Sequence, residues 1–253
     1  MNRDEDNNRN SARAVVVGGS TGVGHGIAQG LIRAGYTVDI VSRSEPKGLG
    51  PNARWHQCDL RDQAATSRTM QSLAVEPLDV FCFAAAYYGE ARKKMAETTE
   101  LEWARQVQVM MHGLWTGLHS CLPALLDGGD GLLISVSSEV VYNFGPDRSG
   151  YAAVKAAASA LVRSVAQEYD AKDLRVVELL PSGMVDSPGI RSRRPSQFDY
   201  TGYMTPDKFG AIGHHLGTTK GRTDAGKVLA VAADGTWTEV TEGSMPSSQS
   251  GSR

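Results

Sequence analysis

At 253 residues, 41% of them hydrophobic, the chain is long enough to bury the core of one large α/β sheet. Its formal net charge of −2 argues against nucleic acid or an anionic membrane as a main partner, and it lacks the run of about 18 apolar residues that a membrane-spanning helix needs. The opening MNRDEDNNRNSAR has no apolar core of a secretory signal, and Cys58, Cys82 and Cys121 lie far apart without metal-ligand spacing, which fits buried, reduced thiols in a cytoplasmic protein and no metal site.

Residues 1–12 are polar and read as a flexible tail. The apolar run 14–17 predicts a first strand, followed by a helix over 24–34 and a second strand at 38–41. A helix over 63–74, a strand at 80–84, a long helix over 100–126 and a strand at 132–136 come next. A helix over 151–169, a strand at 176–180, a short helix near 206–216 and a strand at 228–231 complete a domain over 13–242. The Ser- and Gly-rich stretch 243–253 reads as a second flexible tail. Short strands that are apolar on both sides and alternate with helices predict an α/β fold: a doubly wound parallel sheet of the Rossmann-like kind, one domain with helices on both faces. In such a sheet the ligand crevice lies at the carboxyl ends of the strands. The segment 181–205 is long for a connection and is read as a substrate lid.

After the first predicted strand comes Gly18-Gly19-Ser20-Thr21-Gly22-Val23-Gly24-His25-Gly26. Glycines allow a sharp turn and leave no Cβ in the path of a phosphate, and the amides of the following helix then bind the anion. At the first strand–helix junction of an α/β pattern this predicts a dinucleotide site. The end of the second strand decides which one: an acid there suits the ribose hydroxyls of NAD(H), a basic residue the 2′-phosphate of NADP(H). The chain has Ser42-Arg43 at that point, which favours NADP(H) over NAD(H); the competing role for Arg43 is an ordinary solvated loop residue.

The strongest chemical signal is Tyr151-Ala152-Ala153-Val154-Lys155. Residues four apart share a helix face, so phenol and ammonium can meet in one site. A free tyrosine titrates near pH 10, and a nearby ammonium lowers that value toward working pH, where the group can exchange a proton with an alcohol. The strand 132–136 ends in Ser137-Ser138, thirteen residues before Tyr151. The Ser138 hydroxyl can hydrogen-bond the same substrate oxygen; its competing role is a turn cap.

The glycine turn, the strand ending in Ser-Ser, the YxxxK helix and Pro181 together resemble the short-chain dehydrogenase/reductase family, over about residues 13–190. The resemblance places the family's TGxxxGxG pattern on Val17 (in place of Thr), Gly18, Gly22 and Gly24, with Ser20, Thr21 and Val23 between them at the phosphates. It implies that Asp59-Leu60 contact adenine and that Ser138, Tyr151 and Lys155 are catalytic, with Tyr151 and Lys155 also at the nicotinamide ribose. Pro181, Gly183, Val185 and Ser187 are similar to the family's segment beside the nicotinamide, here one residue longer. The implied function is an NADPH-dependent ketoreductase or the reverse alcohol dehydrogenase, with a small-molecule substrate, and the implied assembly is a homodimer or homotetramer through the 100–126 and 151–169 helices. Residues that the resemblance brings to the substrate pocket are Val140, Tyr142, Phe144 and Met184, with Val185, Tyr87 and Tyr88 adjoining, which suggests a moderately bulky apolar or aromatic substrate.

Three departures qualify the pattern. Phe83-Ala84-Ala85-Ala86 stands where the family has NNAG; small Ala84, Ala85 and Ala86 still let a cofactor pass. Met110 stands where the family has a relay asparagine, and a thioether cannot replace an amide's hydrogen bonds. His112, two residues along a helix, points elsewhere. The stretch 226–235 echoes the family's last strand only loosely. These departures motivate two alternatives: an epimerase or dehydratase of the same fold without net cofactor turnover, or a non-catalytic nucleotide-binding partner subunit. Arg191, Arg193 and Arg194 can either grip a carboxylate or form a solvated surface, the commoner fate of a charged run on a loop. His214-His215 reads as helix surface.

Overall fold

In a computed structural model of the protein, residues 12–241 are described. Strand β1 (Arg13–Val17) is buried throughout, and its alternating side chains divide between two cores. Ala14 and Val16 point into one, Val15 and Val17 into the other. The remaining strands are β2 (Thr37–Ser42), β3 (Ala53–Gln57), β4 (Val80–Phe83), β5 (Gly131–Val136), β6 (Leu174–Pro181), β7 (Val228–Val231) and β8 (Trp237–Glu239). They form one sheet of eight in the order β3-β2-β1-β4-β5-β6-β7-β8, parallel except for β8, which runs antiparallel to β7. The order reverses between β1 and β4, which opens a crevice at their carboxyl ends.

Helices α1 (Gly22–Arg33) and α8 (Gly210–Thr219) cover one face; Ile27, Leu31, Ile212 and Leu216 fill that core. They approach closely because glycines line their contact: a Cβ on Gly30 would lie 2.4 Å from the Gly210 carbonyl oxygen. The other face carries α2 (Gln63–Leu73), α4 (Gly113–Asp127) and α6 (Ser149–Glu168), with Met70, Leu114, Leu118 and Val162 against Phe81 and Leu133. Three shorter helices are α3 (Glu100–Val107), α5 (Val140–Asn143) and α7 (Pro188–Arg191).

Several expectations need correction. The predicted strand set lacks β3 and β8. β3 is only half-buried and reads ARWHQ, without the apolar run that marks a buried strand, and β8 is a three-residue edge. The predicted helix over 100–126 is interrupted: α3 gives way to a π-helical turn, Gln108–His112, before α4 begins. Asp39, the one acid of β2, lies mid-strand and 1% exposed. It accepts from Arg13 Nε at 2.9 Å, Arg54 Nη2 at 2.9 Å and His56 Nε2 at 2.7 Å, and so belongs to a structural ion cluster. His215 is half-buried rather than free at the surface, bonded to Asp224 at 2.8 Å and stacked near Trp237. The two predicted tails fall outside the described residues except for Ala12, whose carbonyl accepts from Thr37 N.

Candidate active site

The crevice holds a cleft of about 610 Å³ running from the end of β2 to the start of α6. At its phosphate end, β1 leaves the sheet through Gly18, whose φ of +84° is a left-handed value. A Cβ there would stand 2.6 Å from the Ala85 amide nitrogen, so any other residue closes the passage between the turn and the strand-4 loop. Thr21 caps α1 with extended backbone but makes no side-chain cap bond, and no acid occupies the first turn. The leading amides of α1 are therefore left without a side-chain partner beside the cleft, with the positive end of the helix behind them. Such a cradle fits a pyrophosphate.

Most of the predicted cofactor residues line this cleft: Gly18, Ser20, Thr21, Gly22, Val23, Ser42, Arg43, Asp59, Leu60, Ala84, Ala85, Ala86, Tyr151, Lys155, Pro181, Gly183, Val185 and Ser187. Gly24 does not; it packs beneath the turn, where a Cβ would come within 2.5 Å of the Gly18 oxygen. Ser42 is buried and donates to the Ser44 carbonyl at 2.8 Å, which holds the β2 turn, while Arg43 stands exposed on the wall. Asp59 is engaged by Arg61, whose hydrogen bonds hold the carboxyl below its ordinary range.

At the other end, Ser138, Tyr151 and Lys155 converge. Tyr151 sits in the first turn of α6, 8% exposed, with its hydroxyl near enough to Ser138 for that side chain to pull on its proton. Ser138 also accepts from the Val140 amide at 3.4 Å, so the hydroxyl serves both as turn cap and as partner of the phenol. Lys155 is 4% exposed and its Nζ donates to the Val136 carbonyl at 2.7 Å. The expected lowering of the phenol does not occur. Burial, reinforced by the neighbouring Tyr88, raises Tyr151 well above 10 against weaker pulls from Ser138, Arg148 and Arg193. Burial also pushes Lys155 down to about 8, with Glu178 opposing. Tyr151 is therefore held as a protonated acid.

Glu178 is a residue that sequence reasoning passed over. It lies on β6 beneath α6, 2% exposed, and accepts from Ser159 at 3.0 Å and Arg163 at 2.8 Å, while its second oxygen has no partner among the described residues. The available signal was an acid inside the otherwise apolar strand LRVVELLP. Met110 lies in the π-helical turn, 1% exposed, packed with Val140, Tyr151, Ala152 and Val154. It supports the catalytic helix by apolar contact, and His112 is exposed.

The substrate wall differs from expectation. Met184 and Val185 line the cleft, as do Tyr87 and Tyr88, with the Tyr88 ring 5.3 Å from that of Tyr151. Val140, Tyr142 and Phe144 do not. Val140 is fully buried behind Tyr151, Tyr142 packs toward β6 and β7 and accepts from Arg163 at 3.1 Å, and Phe144 is 71% exposed on a left-handed turn that ends α5. The short helix α5 carries these side chains away from the cleft, which spacing alone does not reveal. The arginine run also divides: Arg191 pairs with Asp186 at 2.6 Å outside, whereas Arg193 and Arg194 line the cleft.

A doubly wound sheet with a phosphate cradle at its switch point and a Ser–Tyr–Lys set at the far end defines a dinucleotide-dependent oxidoreductase. The short chain dehydrogenase profile matches residues 12–197, and the chain belongs to that family, whose members act on alcohols and carbonyls with NAD(P). Among curated proteins, it is 28% identical over 235 residues to 2-(R)-hydroxypropyl-CoM dehydrogenase of Xanthobacter autotrophicus, covering 86% of this chain and 90% of that one. It is 29% identical over 185 residues to cis-4-hydroxycyclohexanecarboxylate dehydrogenase of Sinomonas cyclohexanicum, covering 69% and 74%. Among solved structures, an alcohol dehydrogenase from Thermococcus sibiricus complexed with 5-hydroxy-NADP superposes with a TM-score of 0.71 at 27% identity, over 87% of this chain and 95% of that one. No helix among the described residues is long and apolar enough to cross a membrane.

Proposed function

We propose that the protein is an NADP(H)-dependent ketoreductase, or the corresponding secondary-alcohol dehydrogenase, with Tyr151 as proton donor and acceptor. The observation that carries the reading is Tyr151 itself: a buried, protonated phenol beside Ser138 in the cleft, on the helix face it shares with Lys155. Gly18, Ser20, Thr21, Gly22 and Val23 hold the pyrophosphate, Asp59 and Leu60 the adenine side, and Tyr151, Lys155, Pro181, Gly183, Val185 and Ser187 the nicotinamide side. The bound dinucleotide supplies the hydride chemistry. Ser138 orients the substrate oxygen and stabilises charge as it develops there. Tyr151 delivers the phenolic proton to that oxygen, and the Lys155 ammonium, which favours the phenolate left behind, lowers the barrier to the transfer.

Arg43, exposed on the wall just after β2, which ends in Ser42 rather than an acid, supports the preference for the 2′-phosphorylated cofactor. Segment 181–205 serves as the substrate cover; its Val185–Met204 bridge and the Phe198, Tyr200 and Tyr203 cluster support a defined loop. Exposed Trp103 and Trp115 on α3 and α4 support a homodimer or homotetramer. The test is a titration with NADPH and NADH, read by nicotinamide fluorescence, on wild type and Arg43→Ala. Removing a charge-assisted contact worth about 1.5–3 kcal/mol weakens NADPH about ten- to a hundredfold and leaves NADH within threefold. Equal loss for both cofactors would remove the assignment of Arg43, and binding of neither by wild type would remove the oxidoreductase reading.

A further inference from the structure

The proposed reaction leaves one feature of the cleft unused. Four arginines, Arg92, Arg148, Arg193 and Arg194, gather at the substrate end, drawn from three separate stretches of chain. Arg193 lies with its Cζ 5.7 Å from the Tyr88 ring centroid, and that ring leans on Tyr151. The cationic group is thus one ring away from the reacting phenol. The neighbouring acids neutralise it only in part. Glu102 is engaged by Lys93 at 3.0 Å, and Glu139 meets Arg148 only at 3.4 Å. Asp147, also on the wall, forms no ion pair, and none of Arg92, Arg193 and Arg194 reaches a carboxylate among the described residues.

Two of the guanidinium donors are more than uncompensated. The Nε groups of Arg148 and Arg193 are both buried and both without a hydrogen-bond partner among the described residues. Each such donor costs about 1–3 kcal/mol, more when charged, so a fold carries them where a ligand completes them. Burial, and then repulsion among the arginines, pulls Arg92 and Arg193 below the ordinary arginine value, with Glu139 opposing at Arg92, as expected of cations that outnumber the acids beside them. Arg194 is steadied by Tyr203 at 3.3 Å and by the Phe198 ring, and Arg148 holds Glu139 at 3.4 Å and Asn143 at 3.3 Å through Nη2, which leaves the Arg148 Nε and the Arg193 guanidinium as the unmatched donors. A flat guanidinium with a free Nε–H edge matches a carboxylate better than any other common group.

We infer that the substrate carries a carboxylate distal to its carbonyl or alcohol carbon, and that Arg148 and Arg193 bind that carboxylate while Arg92 and Arg194 supply the surrounding positive field. The inference rests on the oxidoreductase reading for the identity of the reacting end, but the anion site can be tested without turnover. It extends the moderately bulky apolar or aromatic substrate expected from sequence to an amphiphilic one, whose body lies against Tyr87, Tyr88 and Met184.

The experiment compares matched probes: 4-acetylbenzoate against 4-methylacetophenone, and 5-oxohexanoate against 2-heptanone. Affinity is read by protein fluorescence with and without NADP+, in wild type, Arg148→Gln and Arg193→Gln. Each acid is expected to bind at least about tenfold more tightly than its neutral partner at low salt, with the advantage shrinking as salt rises and largely lost in either variant. NADPH affinity, unchanged in both variants, reports that they are folded. If a variant unfolds, the acid preference and its salt dependence in wild type decide the matter alone. Equal binding of acids and neutral ketones overturns the inference, as does an acid preference that survives in both folded variants. Loss of NADPH binding in a folded variant also overturns it, because the arginines then serve the nucleotide. NADPH oxidation is followed separately: turnover of neutral ketones without acid preference removes the carboxylate site and keeps the reductase, whereas arginine-dependent acid binding without turnover of any probe keeps the site and removes the reductase.

Discussion

Lys155 holds a charge that the fold has reason to expel, and replacing it by methionine measures how much. The ammonium is almost fully buried, donates to the Val136 carbonyl at 2.7 Å, and has its pKa pushed by burial from 10.5 to about 8. A lysine that titrates lower in the fold than in the unfolded chain binds fewer protons when folded. The penalty on folding is therefore full below about pH 8 and fades as pH rises to the unfolded value of 10.5. At neutral pH it amounts to about 3 kcal/mol. Methionine has similar reach and no charge, but it leaves the Val136 carbonyl without that donor, a loss of about 1 kcal/mol. Lys155→Met should thus be about 2 kcal/mol more stable than wild type at pH 7 and no more stable at pH 10.5, while losing its catalytic turnover. Urea unfolding of both proteins without nucleotide, across pH 6–10.5 and with matching m-values, gives the comparison. A variant less stable than wild type at pH 7, or a difference that stays flat across the range, would refute the reasoning.

Gly18→Ala tests the cradle: the left-handed φ costs a side chain about 1–2 kcal/mol, and the new Cβ must displace the Ala85 backbone that it would meet at 2.6 Å. NADPH binding should fall by more than about tenfold (at ~1.4 kcal/mol per decade) while far-UV circular dichroism keeps its helical signal; unchanged affinity would show that the turn tolerates the shift. Asp39→Asn tests the ion cluster across β1, β2 and β3 and should lower stability by about 3–5 kcal/mol at neutral pH, since it removes the buried carboxylate that Arg13, Arg54 and His56 share. Burial alone would raise the Asp39 carboxyl, but hydrogen bonds from His56 and Arg13 and the charges of Arg13 and Arg54 hold it below 3.8. The wild-type advantage is therefore present above that pH and lost as pH falls through the lowered value, so the two unfolding free energies should converge in acid; a gap that persists unchanged there would assign the stability to something other than the carboxylate.

The sequence by itself determined most of the sheet, the glycine turn after β1 and the pairing of Tyr151 with Lys155 on one helix face. Each is written in local terms: buried strands are continuous apolar runs, a turn through positive φ demands glycine at position 18, and Tyr151 and Lys155 share a helix face because they lie four apart. The half-exposed β3 and the three-residue β8 were not legible, because both are held by pairing with a neighbour rather than by their own pattern. Only the tertiary structure decided the substrate end of the cleft. The turn of α5 sends Tyr142 and Phe144 away, the loop after α7 splits Arg191 from Arg193, and Arg92 and Arg148 arrive from distant segments to join them. Whether an arginine is a solvated surface charge or an unpartnered donor depends on burial and on the absence of a nearby acid, and both are properties of the packed chain rather than of any stretch of it.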